Sequence, residues 1–78
     1  MSFDNVMTQE REHCERITSY KIQVWNVAWS DIAHGKRIGK AKVDKFPPVV
    51  ASKVRLYITT ATGSPVIDEF AVFKTKRP

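Results

Sequence analysis

Apolar and polar side chains alternate along most of this chain, and the alternation predicts β-strands. Residues 17–25, ITSYKIQVW, place Tyr20, Ile22 and Val24 on one side and polar residues on the other. A period of two residues is typical of a strand with one buried and one solvated face. Residues 53–60, KVRLYITT, repeat the pattern, with an arginine and a tyrosine on the solvated side.

A third run, VIDEFAVFKT at residues 66–75, changes phase in its middle. Its apolar positions slip at Asp68 and Glu69, which predicts a β-bulge, where one extra residue re-aims the side chains that follow. Weaker alternation predicts three further strands, at residues 3–10, 29–35 and 37–46. The pattern therefore predicts about six strands.

Turn residues separate these runs. Residues 26–28 lie between two strands at hairpin distance, and Gly35 supplies freedom for a turn. Pro47 and Pro48 predict a strand end, because proline donates no ladder hydrogen bond. Residues 8–17, TQEREHCERI, carry no apolar stripe that a helix could bury and are predicted as a loop. Short strands with frequent turns favour an antiparallel β-sandwich or barrel.

Length and composition fit a single small domain spanning residues 1–78. The chain has 78 residues, 42% of them hydrophobic and 27% charged, a balance typical of globular proteins. Its apolar runs are much shorter than the roughly 18 residues of a membrane span. No basic start followed by an apolar run is present, so no signal peptide is expected in this chain.

The charge is positive overall but uneven. Residues 1–16 hold two arginines and four acids, a net of −2, so residues 17–78 carry +7 and the whole chain carries +5. Such a balance is compatible with polyanion affinity, but it favours a solvated, lysine-rich β-surface that resists aggregation. It does not by itself specify a nucleic-acid partner, and none is predicted.

Catalytic and metal chemistry find little support in the sequence. Cys14 stands alone beside His13, and zinc would need more ligands at workable spacing. Glycoside hydrolysis needs two carboxylates in a cleft of several hundred Å³, which a sandwich of this size has little room for. The expectation is a non-enzymatic chain without cofactor or metal.

Three segments, taken in order, resemble a known family. They are RITSYKIQVWN at residues 16–26, KFPPVVASKVRLYIT at residues 45–59 and SPVIDEFAVF at residues 64–73. Together they are similar to discoidin-like domains (galactose-binding-like, coagulation factor C-type), and most of all to the C-terminal domain of α-L-fucosidases. The resemblance implies a jelly-roll β-sandwich of which only the second half is present, as a fragment or a reduced form.

The resemblance also implies a role. It predicts a non-catalytic accessory module that packs against the catalytic domain of a glycoside hydrolase and contacts glycans, in a secreted, periplasmic or lysosomal protein. One alternative is a stand-alone module that binds carbohydrate or a polyanion. Another is an interaction domain that pairs an open sheet edge with a partner or with a second copy of itself.

Aromatic and basic residues between positions 24 and 40 are the candidate ligand contacts. Tryptophans beside cations suit a sugar or an anionic glycan, although the sequence favours a hairpin that packs its indoles on or beside the core. Arg55 and Glu69 are predicted as a structural pair if their strands are neighbours. The candidate ligand-binding residues are Trp25, Trp29, His34, Lys36, Arg37 and Lys40.

Overall fold

Six antiparallel strands in two sheets make up this protein, in a computed structural model that describes residues 2–75. They are β1 (Ser2–Glu10), β2 (Ile17–Asn26), β3 (Ala28–Gly35), β4 (Lys42–Val50), β5 (Lys53–Ala61) and β6 (Ile67–Phe73). Sheet A has the order β4-β1-β6, and sheet B has the order β3-β2-β5. The prediction of an all-β sandwich with about six strands is confirmed.

The core lies between the two sheets and is supplied mainly by their central strands. Tyr20, Ile22 and Val24 of β2 are buried, as the alternation predicts, and Phe3 and Val6 of β1 meet them from the other sheet. Burial of apolar surface at about 25 cal/mol per Å² is the main force that holds the layers together. Apolar residues from all four outer strands pack around this centre.

Two irregularities shape sheet A. The β1–β6 register shifts where Gln9 faces Glu69 and Glu10 faces Ile67, so Asp68 is the extra residue of the predicted bulge. The prediction at Pro47 and Pro48 is wrong, because β4 continues through both. They fall where the β1–β4 register also shifts, on an edge strand, and there a missing N–H breaks no ladder hydrogen bond.

The connections around β3 differ from each other. Residues 26–28 form the predicted hairpin turn, with Val27 at its tip at φ 71° and 94% exposed. After β3, residues 36–41 cross from sheet B to sheet A, so the strand predicted at 37–46 begins only at Lys42. Ile38 is buried within this crossover and anchors it to the core.

The buried carboxylate of Glu10 binds three backbone N–H groups. Its Oε2 accepts from Arg16 at 2.9 Å and from Ile17 at 3.3 Å, and its Oε1 accepts from Gly39 at 3.2 Å. The Glu10 amide also donates to the Gly39 carbonyl at 2.9 Å. One side chain, 1% exposed, thus ties the end of β1 to the start of β2 and to the crossover.

Tyr20 makes a second link between the sheets. Its ring lies against Gly35, where an added Cβ would come within 2.8 Å of the ring carbon Cζ, and its hydroxyl donates to Asp44 Oδ2 at 2.7 Å. Burial first, and then the hydrogen bond and negative charge of Asp44, raise the pKa of Tyr20 above its usual 10.0. The phenol is therefore neutral in the folded chain.

Within residues 2–75 the structure contains no helix that is long and apolar enough to cross a membrane.

Replacement of Glu10 by alanine should destabilise the fold severely. It leaves the buried N–H of Ile17 and the partly buried N–H groups of Arg16 and Gly39 without their acceptor. A buried unsatisfied group costs about 1–3 kcal/mol, so the free energy of unfolding should fall by about 2–3 kcal/mol. Urea denaturation measures this change. Glu12→Ala, at an exposed position, is the matched control and should change stability by about 0.5 kcal/mol or less. Equal losses in both variants would contradict the role given to Glu10.

Stability should decline with alkaline pH through Tyr20. Because its folded-state pKa is raised, its contribution is complete below about pH 10 and is lost as the pH rises further. The free energy of unfolding should then fall by about 1.4 kcal/mol per pH unit from this group. Urea titrations between pH 9 and 11.5 should show a shallower decline in Tyr20→Phe. Tyr57→Phe, at an exposed ring, should keep the wild-type slope.

Val27→Gly should stabilise the chain. A β-branched residue at φ 71° costs about 1–2 kcal/mol, whereas glycine adopts this conformation freely. Because the Val27 side chain is almost fully exposed, its removal loses little packing. Thermal unfolding should show a higher midpoint for Val27→Gly and no gain for Ala28→Gly. A lower midpoint for Val27→Gly would mean that its side chain makes a stabilising contact.

Candidate functional site

The outer face of sheet B, which we term the aromatic face, carries aromatic, charged and amide side chains that point away from the core. Cross-strand register and the burial of alternate residues assign its members. They are Lys21, Gln23 and Trp25 from β2, Trp29, Asp31 and His34 from β3, and Lys53, Arg55 and Tyr57 from β5.

Both tryptophans lie on this face. Trp25 and Trp29 are direct cross-strand partners, and their rings meet edge to face with centroids 5.5 Å apart and an interplanar angle of 64°. Both are partly buried, and neither belongs to the core between the sheets. The sequence favours indoles that pack on or beside the core. In the structure they lie outside the core and pack on each other and on cations of the same surface.

Arg55 occupies the middle of the aromatic face. Its Cζ lies 4.0 Å from the Trp29 ring centroid and 5.2 Å from that of Tyr57, and its Nε donates to Gln23 Oε1 at 2.7 Å. Stacking on Trp29 covers part of an indole surface that a sugar platform would need. Two rings and one hydrogen bond thus fix the position of the guanidinium.

The predicted pairing of Arg55 with Glu69 is wrong. Arg55 belongs to sheet B and Glu69 to sheet A, where Glu69 is exposed opposite Gln9. The two strands are not neighbours, so no cross-strand contact can form. Among the described residues, no carboxylate lies within 4.0 Å of the Arg55 guanidinium.

Gln23 connects Arg55 to the opposite edge of the face. Its Nε2 donates to Asp31 Oδ1 at 2.7 Å, and Lys21 Nζ lies 3.2 Å from Asp31 Oδ2. The hydrogen bond from Gln23 first, and then that from Lys21, lower the pKa of Asp31. Asp31 is therefore an anion at neutral pH, held on the β3 side, while Arg55 presents positive charge on the β5 side.

The candidate residues from the sequence do not form one site. Trp25, Trp29 and His34 share the aromatic face, whereas the three basic candidates after them lie in the crossover, which is not a hairpin. Gly35, at the end of β3, lies six positions after Trp29, a distance of about 20 Å along the strand. Exposed side chains in the crossover are Lys36, Arg37 and Lys40, the last with its Nζ 3.9 Å from Glu12 Oε1.

Sequence reasoning missed the part that β5 plays in this surface. The alternation shows Arg55 and Tyr57 as solvent-facing positions of a strand, but nothing local joins that strand to Trp25 and Trp29, which lie 30 and 26 residues before Arg55. Pairing of β5 with β2 makes the connection, because it sets Gln23 opposite Arg55 and Trp25 opposite Lys53. The alternation of residues 53–60 was the only available signal.

Comparison with known proteins places this fold among solved structures. No protein-family profile matches the chain, and no curated protein matches it. A chain from Bacteroides thetaiotaomicron VPI-5482, described as an α-L-fucosidase, matches 97% of this chain with 29% identity and a TM-score of 0.91. A second B. thetaiotaomicron structure with that description matches 95% at 29% identity and a TM-score of 0.88.

A chain from Bacteroides ovatus ATCC 8483, also described as an α-L-fucosidase, matches all of this chain with a TM-score of 0.89, and at 21% identity it supports the fold alone. This chain spans only 18%, 17% and 14% of these three structures, respectively. The 78 residues therefore have the fold of a small part of chains described as α-L-fucosidases.

Proposed function

We propose that residues 1–78 are one non-catalytic accessory domain of an α-L-fucosidase-like glycoside hydrolase, which packs against the catalytic domain of that enzyme. The similarity in fold along 97% of the chain, at 29% identity to a structure described as an α-L-fucosidase, carries the proposal. The discoidin-like assignment, the C-terminal position, the absence of catalytic groups and a secreted, periplasmic or lysosomal location belong to the same proposal.

The outer face of sheet A supports a docking role. Met7, Val43 and Ala71 face one another across its three strands, and Phe73 follows on the same side of β6. Val43 is 51% exposed and Phe73 48% exposed, and none of the four packs against the core. We term this set the apolar stripe. Clustered apolar side chains on a sheet surface are typical of an interaction site.

The proposed occupant of the apolar stripe is the catalytic domain of such an enzyme. More than four-fifths of each similar fucosidase chain lies outside the part that this chain matches, which supplies a large neighbour. The opposite outer face is dominated by charged and hydrogen-bonding groups, which a dry interface would have to desolvate at a cost. The apolar stripe is the less costly of the two faces to cover.

A chimeric enzyme tests the docking. In the B. thetaiotaomicron VPI-5482 protein described as an α-L-fucosidase, this chain replaces the segment that it matches. Unfolding and fucosidase activity of the chimera are then followed against temperature. If this chain docks through the apolar stripe, the two parts of the chimera should unfold together in one joint transition. Val43→Lys should lower its midpoint by several degrees, since a charge would then be buried without a partner.

Tyr57→Lys is the matched control, because Tyr57 is 45% exposed on the opposite face. It should leave the joint transition in place. In the isolated chain, both variants should keep nearly the wild-type stability. Separate transitions of the two parts, or equal effects of the two variants in the chimera, would refute docking through the apolar stripe.

A further inference from the structure

The Arg55 guanidinium carries unused hydrogen-bonding capacity. Its Nε donates to Gln23, and no contact within residues 2–75 uses its terminal nitrogens, Nη1 and Nη2. Guanidinium groups bind carboxylate and sulfate-type oxygens through two parallel N–H donors. A positively charged fork is therefore presented on the aromatic face without an acidic partner among the described residues.

The fork is also held in place before any ligand arrives. Trp29 and Tyr57 confine the guanidinium plane, and Gln23 is itself fixed by its hydrogen bond to Asp31. An arginine that is already ordered loses less side-chain entropy on binding than a free one. This separates Arg55 from the exposed cations of the crossover, for which the structure gives no comparable set of contacts.

Charge on the aromatic face favours an anion near β5. Lys53 lies two residues before Arg55 on the same side of the strand, about 7 Å along it, with its Nζ 5.9 Å from the Trp25 centroid. The negative charge of Asp31 lies across the sheet on β3 and is already paired with Lys21. The two cations of β5 thus form the positive end of the face.

Tyr57 adds an apolar surface beside the fork. Tyr57 is 45% exposed, and its ring lies next to the Arg55 guanidinium. An exposed aromatic ring beside hydrogen-bond donors fits the apolar C–H face of a sugar whose charged group reaches the arginine. An acidic peptide would meet the charge but would leave this ring without a matching partner.

We propose that the aromatic face binds a saccharide that carries a carboxylate or a sulfate ester, with Arg55 as the bidentate anchor, Lys53 as the second cation and Tyr57 as the sugar platform. The choice of a saccharide over another anion rests in part on the proposed function. The site differs from the basic crossover at residues 36–41, which lies at the other end of β3.

Titration of the 78-residue chain tests the site. The probes are tetragalacturonate, a sulfated galactan tetrasaccharide, the uncharged galactan tetrasaccharide and tetraglutamate. Tryptophan fluorescence and backbone amide shifts report binding. At least one charged saccharide should bind about tenfold or more tighter than the uncharged one, with shifts concentrated in residues 23–31 and 53–57. The carboxylate and sulfate arms identify which anion is preferred.

Variants test whether Arg55 is the residue that anchors the saccharide. Arg55→Lys keeps the charge but loses the fork and should weaken binding by about 10- to 100-fold. Arg11→Lys, at an exposed arginine outside this face, should leave the affinity unchanged. If Arg55→Lys alters the fold, Tyr57→Ser provides a second variant and should weaken binding by about tenfold while the amide spectrum stays native.

Several results would overturn the site. One is that neither charged saccharide binds. Another is that the uncharged saccharide or tetraglutamate binds as tightly as the charged saccharides. A third is that folded Arg55 and Tyr57 variants keep the wild-type affinity. Failure here is distinguishable from failure of docking, because the two surfaces lie on opposite sides of the sandwich. Val43→Lys should keep saccharide binding, and Arg55→Lys should keep the joint unfolding transition of the chimera.

Discussion

The Glu10 carboxylate lies where three segments of the chain meet, and the arrangement of the two sheets depends on it. It accepts hydrogen bonds from the start of β2 in sheet B and from Gly39 in the crossover, while its own backbone ends β1 in sheet A. A buried N–H without an acceptor, such as that of Ile17 would be, costs about 1–3 kcal/mol, whereas a typical hydrogen bond contributes about 0.5–1.5 kcal/mol. A small core would have difficulty compensating for such a loss.

Two surfaces become independent once the sheets are held together in this way. Each sheet turns one side to the core, so its other side is free to carry function without disturbing the packing. Sheet A presents the apolar stripe, and sheet B presents the aromatic face. A module with docking on one side and ligand contact on the other needs no cleft, which suits a chain of 78 residues.

In the proposed saccharide site, Arg55 would combine a structural contact and a binding contact in one side chain. Stacking on Trp29 contributes packing and orients the guanidinium, and the hydrogen bond to Gln23 uses only one of its three nitrogens. The groups that position the arginine therefore leave its terminal donors available. Because Arg55 stacks on its ring, Trp29 supports the cation and is not an open sugar platform.

Alternation along the chain determined the strands, the burial of Tyr20, Ile22 and Val24, and the bulge at Asp68, because each follows from neighbours within a few residues. Only the tertiary structure decided which strands share a sheet. The crossover after β3 enters the other sheet, and β5 rather than β6 pairs with β2, so Arg55 meets Trp29 and not Glu69. Strand partners are chosen by burial across the whole chain and by buried groups such as Glu10, which a local pattern does not encode.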